Sequence, residues 1–84
     1  MSNLYWQKNI NISNNDLISL KFIQKIIGGD FNVSNNNLTS LEFCPEKING
    51  DFNISNNKLT SLEYCSKEIQ GIFNCKNNVF FKKT

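Results

Sequence analysis

The chain has no histidine, only three cysteines and a formal net charge of just +2 in 84 residues. Without histidine, the side chain that most often works as a general base near neutral pH is missing, and so is the imidazole that many metal sites use. The small positive balance is too weak for the electrostatic footprint of a nucleic-acid binder, and far too positive for a protein that imitates DNA. No apolar run is long enough to cross a bilayer. The opening Met1-Ser2-Asn3-Leu4-Tyr5-Trp6 lacks a basic region followed by an apolar core, so no secretory signal is expected and a cytoplasmic location is the reading, host cytoplasm if the chain is viral. Asn-x-Ser triplets such as Asn32-Val33-Ser34 and Asn53-Ile54-Ser55 are then expected to stay unglycosylated.

What is present is one phrase, written four times at a spacing of 21 residues. Asp51-Phe52-Asn53-Ile54-Ser55-Asn56-Asn57-Lys58-Leu59-Thr60-Ser61-Leu62-Glu63 repeats Asp30-Phe31-Asn32-Val33-Ser34-Asn35-Asn36-Asn37-Leu38-Thr39-Ser40-Leu41-Glu42. Ile10–Leu20 precedes them in the same register, and Phe73–Phe80 follows. The units fall at about 6–26, 27–47, 48–68 and 69–84 within one domain, 1–84. A strict period of this length indicates a solenoid, in which each unit buries its apolar face by stacking on its neighbours.

The apolar columns define the core. Phe31 and Val33, like Phe52 and Ile54, alternate with polar residues at period two, which predicts short strands with one buried face. Trp6 shares a column with Ile27, Ile48 and Ile69 and is expected to serve the first unit's core. Gly29, Gly50 and Gly71 stand two residues before the strand aromatic, where a positive φ or a close approach between units is expected. The column Asn15, Asn36, Asn57, Asn78 marks a bend where amide side chains can satisfy backbone groups and one another. Leu20 to Gly28 reads as one or two helical turns ending at glycine, and Pro45 suits an irregular segment. Cys44 and Cys65 share a column with Ile23, and Cys75 shares one with Ile12, Val33 and Ile54. The thiols therefore read as small core residues, not as ligands.

The spacing Phe52-x-Ile54-x-x-Asn57-x-Leu59 resembles the leucine-rich-repeat signature, and Leu41-x-x-Cys44-Pro45-x-x-Ile48 resembles its short bacterial subclass. The Asn-rich phrase with Leu-Thr-Ser-Leu-Glu is similar to repeats of phage and giant-virus proteins. This resemblance covers residues 6–84 and implies a mainly β leucine-rich-repeat solenoid of about four coils. It further implies a parallel concave sheet and an extended or 3-10 convex side. Aromatic residues stand in place of the family's first strand leucine. A parallel β-helix is the competing architecture, since period-two segments with asparagine ladders serve it too.

Three surfaces are candidates for function. The first is the expected concave face, with Asp30, Asn32, Ser34, Asp51, Asn53, Ser55 and Asn74 as a polar protein-binding surface. Asp30 and Asp51 lie in register, but two carboxylates fall short of the roughly six to eight oxygens that calcium takes. The second is the column Phe22, Phe43 and Tyr64. Its rings are expected to fold over the side of the core; if they project instead, they form a ridge with interface character. The third is the edge at Ile72, Phe80 and Phe81, where an unpaired strand invites self-association into a homodimer. Lys76, Lys82 and Lys83 provide too thin a basic patch for nucleic acid to be an expected partner. Every polar group recurs at equivalent sites, so no catalytic residue, cofactor or metal is expected. The reading is a module that binds a protein partner stoichiometrically. Asn-, Ile- and Lys-rich usage and the flavour of the repeat point to a phage or viral inhibitor of a host defence protein, of the anti-CRISPR kind. The alternative is a self-assembling structural repeat protein with no dedicated target.

Overall fold

The 21-residue translation of the sequence reappears as hydrogen bonding between units. The structure, a computed structural model, describes residues 8–80 together with the backbone of Tyr5 and Trp6. Eight two-residue strands alternate along the chain: β1 (Tyr5–Trp6), β2 (Ile10–Asn11), β3 (Ile26–Ile27), β4 (Phe31–Asn32), β5 (Lys47–Ile48), β6 (Phe52–Asn53), β7 (Glu68–Ile69) and β8 (Phe73–Asn74). They form two parallel sheets, ordered β1-β3-β5-β7 and β2-β4-β6-β8. Each strand pairs with its equivalent one period on, Phe31 with Phe52 and Ile27 with Ile48. The bonding continues past the strands: the Val33 amide donates to the Asn53 carbonyl at 2.9 Å, and the Asn35 amide to Ser55 at 3.0 Å. The protein is mainly β and repetitive. None of the described residues is helical, so none forms a helix long and apolar enough to cross a membrane.

The sheet β2-β4-β6-β8 is the one expected from the period-two pattern. The second sheet is a finding. It occupies Ile26–Ile27 and equivalents, and the helical turns expected over Leu20–Gly28 are not there. A single turn closes instead, with the Ile23 amide on the Leu20 carbonyl at 3.1 Å, and the chain then extends into β3. The same hydrogen bond recurs at Leu41–Cys44 and Leu62–Cys65, where, unlike at Leu20–Ile23, the third residue has a positive φ. Pairing with the next unit satisfies the backbone there, and the β-branched Ile26 and Ile27 favour extension, so local helix preference is overridden.

Among the described residues, ten apolar side chains form the buried core: Leu20, Ile27, Phe31, Val33, Leu38, Leu41, Ile48, Phe52, Ile54 and Leu59. Their columns are the apolar columns of the repeat. The rings of Phe31, Phe52 and Phe73 stack along the axis at 5.6 Å per step. The backbone of Trp6 pairs with Ile27 as its column requires; its expected place in the core lies outside what is described.

The glycines work through space, not through φ. No glycine has a positive φ. A Cβ on Gly50 would run into the Asp30 carboxylate and stand 2.8 Å from the Asp30 nitrogen. Gly29 and Gly71 face Asn9 and Asp51 in the same way. Gly50→Ala is expected to cost about 1–3 kcal/mol, the usual range for overpacking. Urea unfolding of the variant beside wild type checks this.

Candidate functional site

The polar face was expected to offer free hydrogen-bonding groups, and the structure shows most of them engaged. One oxygen of Asp30 accepts the Asp51 amide at 2.7 Å, and one oxygen of Asp51 accepts the Ile72 amide at 2.8 Å. Asn9 begins this ladder by accepting the Asp30 amide at 2.8 Å. The stacked carboxylates therefore each hold the backbone of the next unit. Asn32, Asn53 and Asn74 turn their side-chain oxygens onto the amides of Ser34, Ser55 and Lys76, two residues ahead. Ser34 and Ser55 are themselves buried. These residues build the wall of the solenoid, each Asp and Asn with one side-chain oxygen committed to a backbone amide. Among the described residues no group of acidic, cysteine or histidine side chains is arranged to hold a metal.

The bend column does as its amides allow. Asn57 accepts the Leu38 amide at 3.1 Å and donates to Ile54 and Ser55 in its own unit and to Val33 in the preceding one, at 3.0–3.2 Å. Asn36 makes the equivalent set. The amides were also expected to bond one another; every one of these bonds goes to backbone instead. Ahead of each sits another asparagine, and Asn14, Asn35, Asn56 and Asn77 all take φ of 56–59°. Asparagine tolerates that left-handed region better than other non-glycine residues.

The aromatic column reverses its expectation. Phe22 is 86% exposed, Phe43 52% and Tyr64 58%, so the rings project and do not fold over the core. The cause is local. Phe43 and Tyr64 are the third residues of the turns Leu41–Cys44 and Leu62–Cys65, with φ of 70° and 71°. In a turn whose ends lie on the core, the two central residues face outward, while Cys44 and Cys65 pack inward. A positive φ at the third position is the habit of a type II turn, where glycine or asparagine is favoured. A bulky ring there strains the backbone, by about 1–2 kcal/mol for an ordinary left-handed residue. An exposed side chain that costs stability where it sits is a mark of use elsewhere. Beside the column lies a groove of about 240 Å³ lined by Lys21, Ile23, Lys25, Phe43, Cys44 and Glu46. A hollow of about 410 Å³ adjoins Phe22, Leu17 and Ile12.

At the third candidate surface Ile72 is 71% exposed, while Phe80 packs against the core; Phe81, Lys82 and Lys83 lie outside the described residues. Lys76 is exposed.

The cysteines pack against the core as free thiols. Burial pushes the Cys44 thiol up to about 11, against a smaller opposing effect of its contact with Ser66 Oγ at 3.3 Å. Burial raises Cys65 as well. A thiol that ionises later folded than unfolded contributes stability below pH 9 and loses it as the pH rises to about 11. Over that window wild type is expected to lose about 2–3 kcal/mol more than Cys44→Ala. Urea titrations from pH 8 to pH 11 read the difference.

Comparison with family models, with curated proteins and with solved structures gives no match.

Proposed function

We propose that this chain acts by stoichiometric binding of a protein partner, and that the column Phe22, Phe43 and Tyr64 is the surface that binds. The observation that carries this reading is the projection of three aromatic residues in register, two of them in a backbone conformation that disfavours them. Aromatic side chains dominate interface hot spots because they bury large area at low entropic cost. The polar face of Asp30, Asn32, Asp51, Asn53 and Asn74 is the weaker candidate, because one oxygen of each side chain already serves the backbone and none of these residues is aromatic.

Within this reading the chain is a short leucine-rich-repeat solenoid of about four coils. Its parallel pairing at each 21-residue step supports that class, while two sheets instead of one bring it near the β-helix arrangement. A surface that repeats an aromatic group from unit to unit suits an inhibitor that works by occlusion, such as a viral antagonist of a host defence protein. The test is affinity capture from the native host with wild type, Phe43→Gly/Tyr64→Gly and Asn53→Lys. Loss of a stoichiometric partner in the first variant alone supports the ridge. Loss in Asn53→Lys alone transfers the site to the polar face.

One observation favours a second reading, self-assembly through the last unit. Leu62 is 41% exposed where its column mates Leu20 and Leu41 are 1% and 0%, and Ile72 and Val79 of the last unit are exposed as well. Sedimentation that shows only monomer at high concentration overturns it.

A further inference from the structure

The ridge is flanked by charge that differs along its length. Lys21 precedes Phe22, but Glu42 precedes Phe43 and Glu63 precedes Tyr64. Both glutamates are exposed, one period apart in the same column. The ion pairs between units are Lys25 with Glu46 at 3.6 Å and Lys47 with Glu68 at 3.9 Å, and neither includes Glu42 or Glu63 among the described residues. The Ser40 and Ser61 hydroxyls accept the amides of Glu42 and Glu63 at 3.0 and 3.2 Å, so each Glu-aromatic pair stands on a fixed turn. The ring stacks of the protein run through Phe31, Phe52 and Phe73, leaving the faces of Phe43 and Tyr64 unused by other rings among the described residues.

We propose that the Phe43–Tyr64 half of the ridge, with Glu42 and Glu63, receives an arginine- or lysine-bearing segment of the protein partner. This deepens the binding reading above and rests on it. Two aromatic faces attract a cation through their ring quadrupoles, most strongly where water is displaced. Two like-charged carboxylates in register repel each other, and a cation between them removes that repulsion. A second copy of the chain is a poorer fit. Laid antiparallel along the ridge, it sets Lys21 against Glu63 but also Glu42 against Glu42, Glu46 against Glu46 and Lys25 against Lys67.

The experiment titrates the isotope-labelled chain with a capped Gly-Arg-Gly-Arg-Gly peptide at low salt, with the Glu-for-Arg peptide as control, and follows backbone amides by NMR. Shifts confined to residues 42–44 and 63–65 are expected with the arginine peptide only. Glu42→Gln/Glu63→Gln is expected to weaken binding at least threefold and Phe43→Gly/Tyr64→Gly to abolish it, with spectra of both variants otherwise unchanged. No shift at millimolar peptide, equal response to the glutamate peptide, or shifts centred on Asp16, Asp30 or Asp51 overturns the proposal. So does a partner, captured through the ridge, that binds Glu42→Gln/Glu63→Gln as tightly as wild type; that result leaves the ridge itself standing. A captured partner indifferent to Phe43→Gly/Tyr64→Gly overturns both.

Discussion

Replacing Asn57 with aspartate is expected to unfold a large share of the chain at 25 °C. The asparagine is 5% exposed, and its amide nitrogen donates to the carbonyls of Val33, Ile54 and Ser55. Aspartate keeps the acceptor toward Leu38 but sets a second oxygen against three carbonyl oxygens. Each buried polar group left without a partner costs about 1–3 kcal/mol, more where charge is involved. A loss of about 4 kcal/mol or more follows, against a total of roughly 4–12 kcal/mol for a chain of this size. Asn15 is the internal control. It is exposed, and its amide nitrogen donates to the Ser13 carbonyl within its own unit, so Asn15→Asp is expected to cost about 1 kcal/mol or less. Lowering the pH should partly restore Asn57→Asp, because a protonated carboxyl regains one donor. Urea unfolding followed by circular dichroism measures all three. Equal losses for the two variants would contradict the ladder's role in joining units.

The second large effect is on binding, with folding left nearly untouched. Phe43→Gly/Tyr64→Gly removes two exposed rings from backbone with φ of 70° and 71°. Relief of left-handed strain offsets the entropy that glycine adds to the unfolded chain, so stability should change by no more than about 1 kcal/mol. Hot-spot aromatics cost about 2 kcal/mol or more each on truncation. Loss of both should therefore weaken partner binding at least a hundredfold, as read by calorimetry with the captured protein. A variant that unfolds would show that the rings support the turn, and one that binds normally would remove the ridge from the interface.

Much of the fold was legible because a repeat displays each column several times. The strand β4 and its partner β6, the core leucines and the backbone-binding asparagines follow from period and chemistry alone. The second sheet did not, because Leu20–Gly28 ends at glycine like a short helix, and the β-branched Ile26–Ile27 pair becomes a strand by pairing with Lys47–Ile48. Of the two reasons that glycine offers at these positions, the structure takes close approach, leaving space for Asn9, Asp30 and Asp51, and not positive φ. Asn9 heads the column of Asp30 and Asp51, but it lies one residue before Ile10, where the repeated phrase begins, and the change from aspartate to asparagine hides it. For the site, residue types identified Phe22, Phe43 and Tyr64 but not their direction. Direction depends on the central place of each ring in its turn, and an aromatic residue is a poor sequence signal for the left-handed backbone found at Phe43 and Tyr64.

Hydrogen exchange on the complex shows whether the aromatic column meets the partner. With the captured protein bound, new protection is expected at the amides of residues 21–23, 42–44 and 63–65, with residues 11–13, 32–34 and 53–55 unchanged. Protection confined to that polar wall, or to residues 69–79, would contradict it.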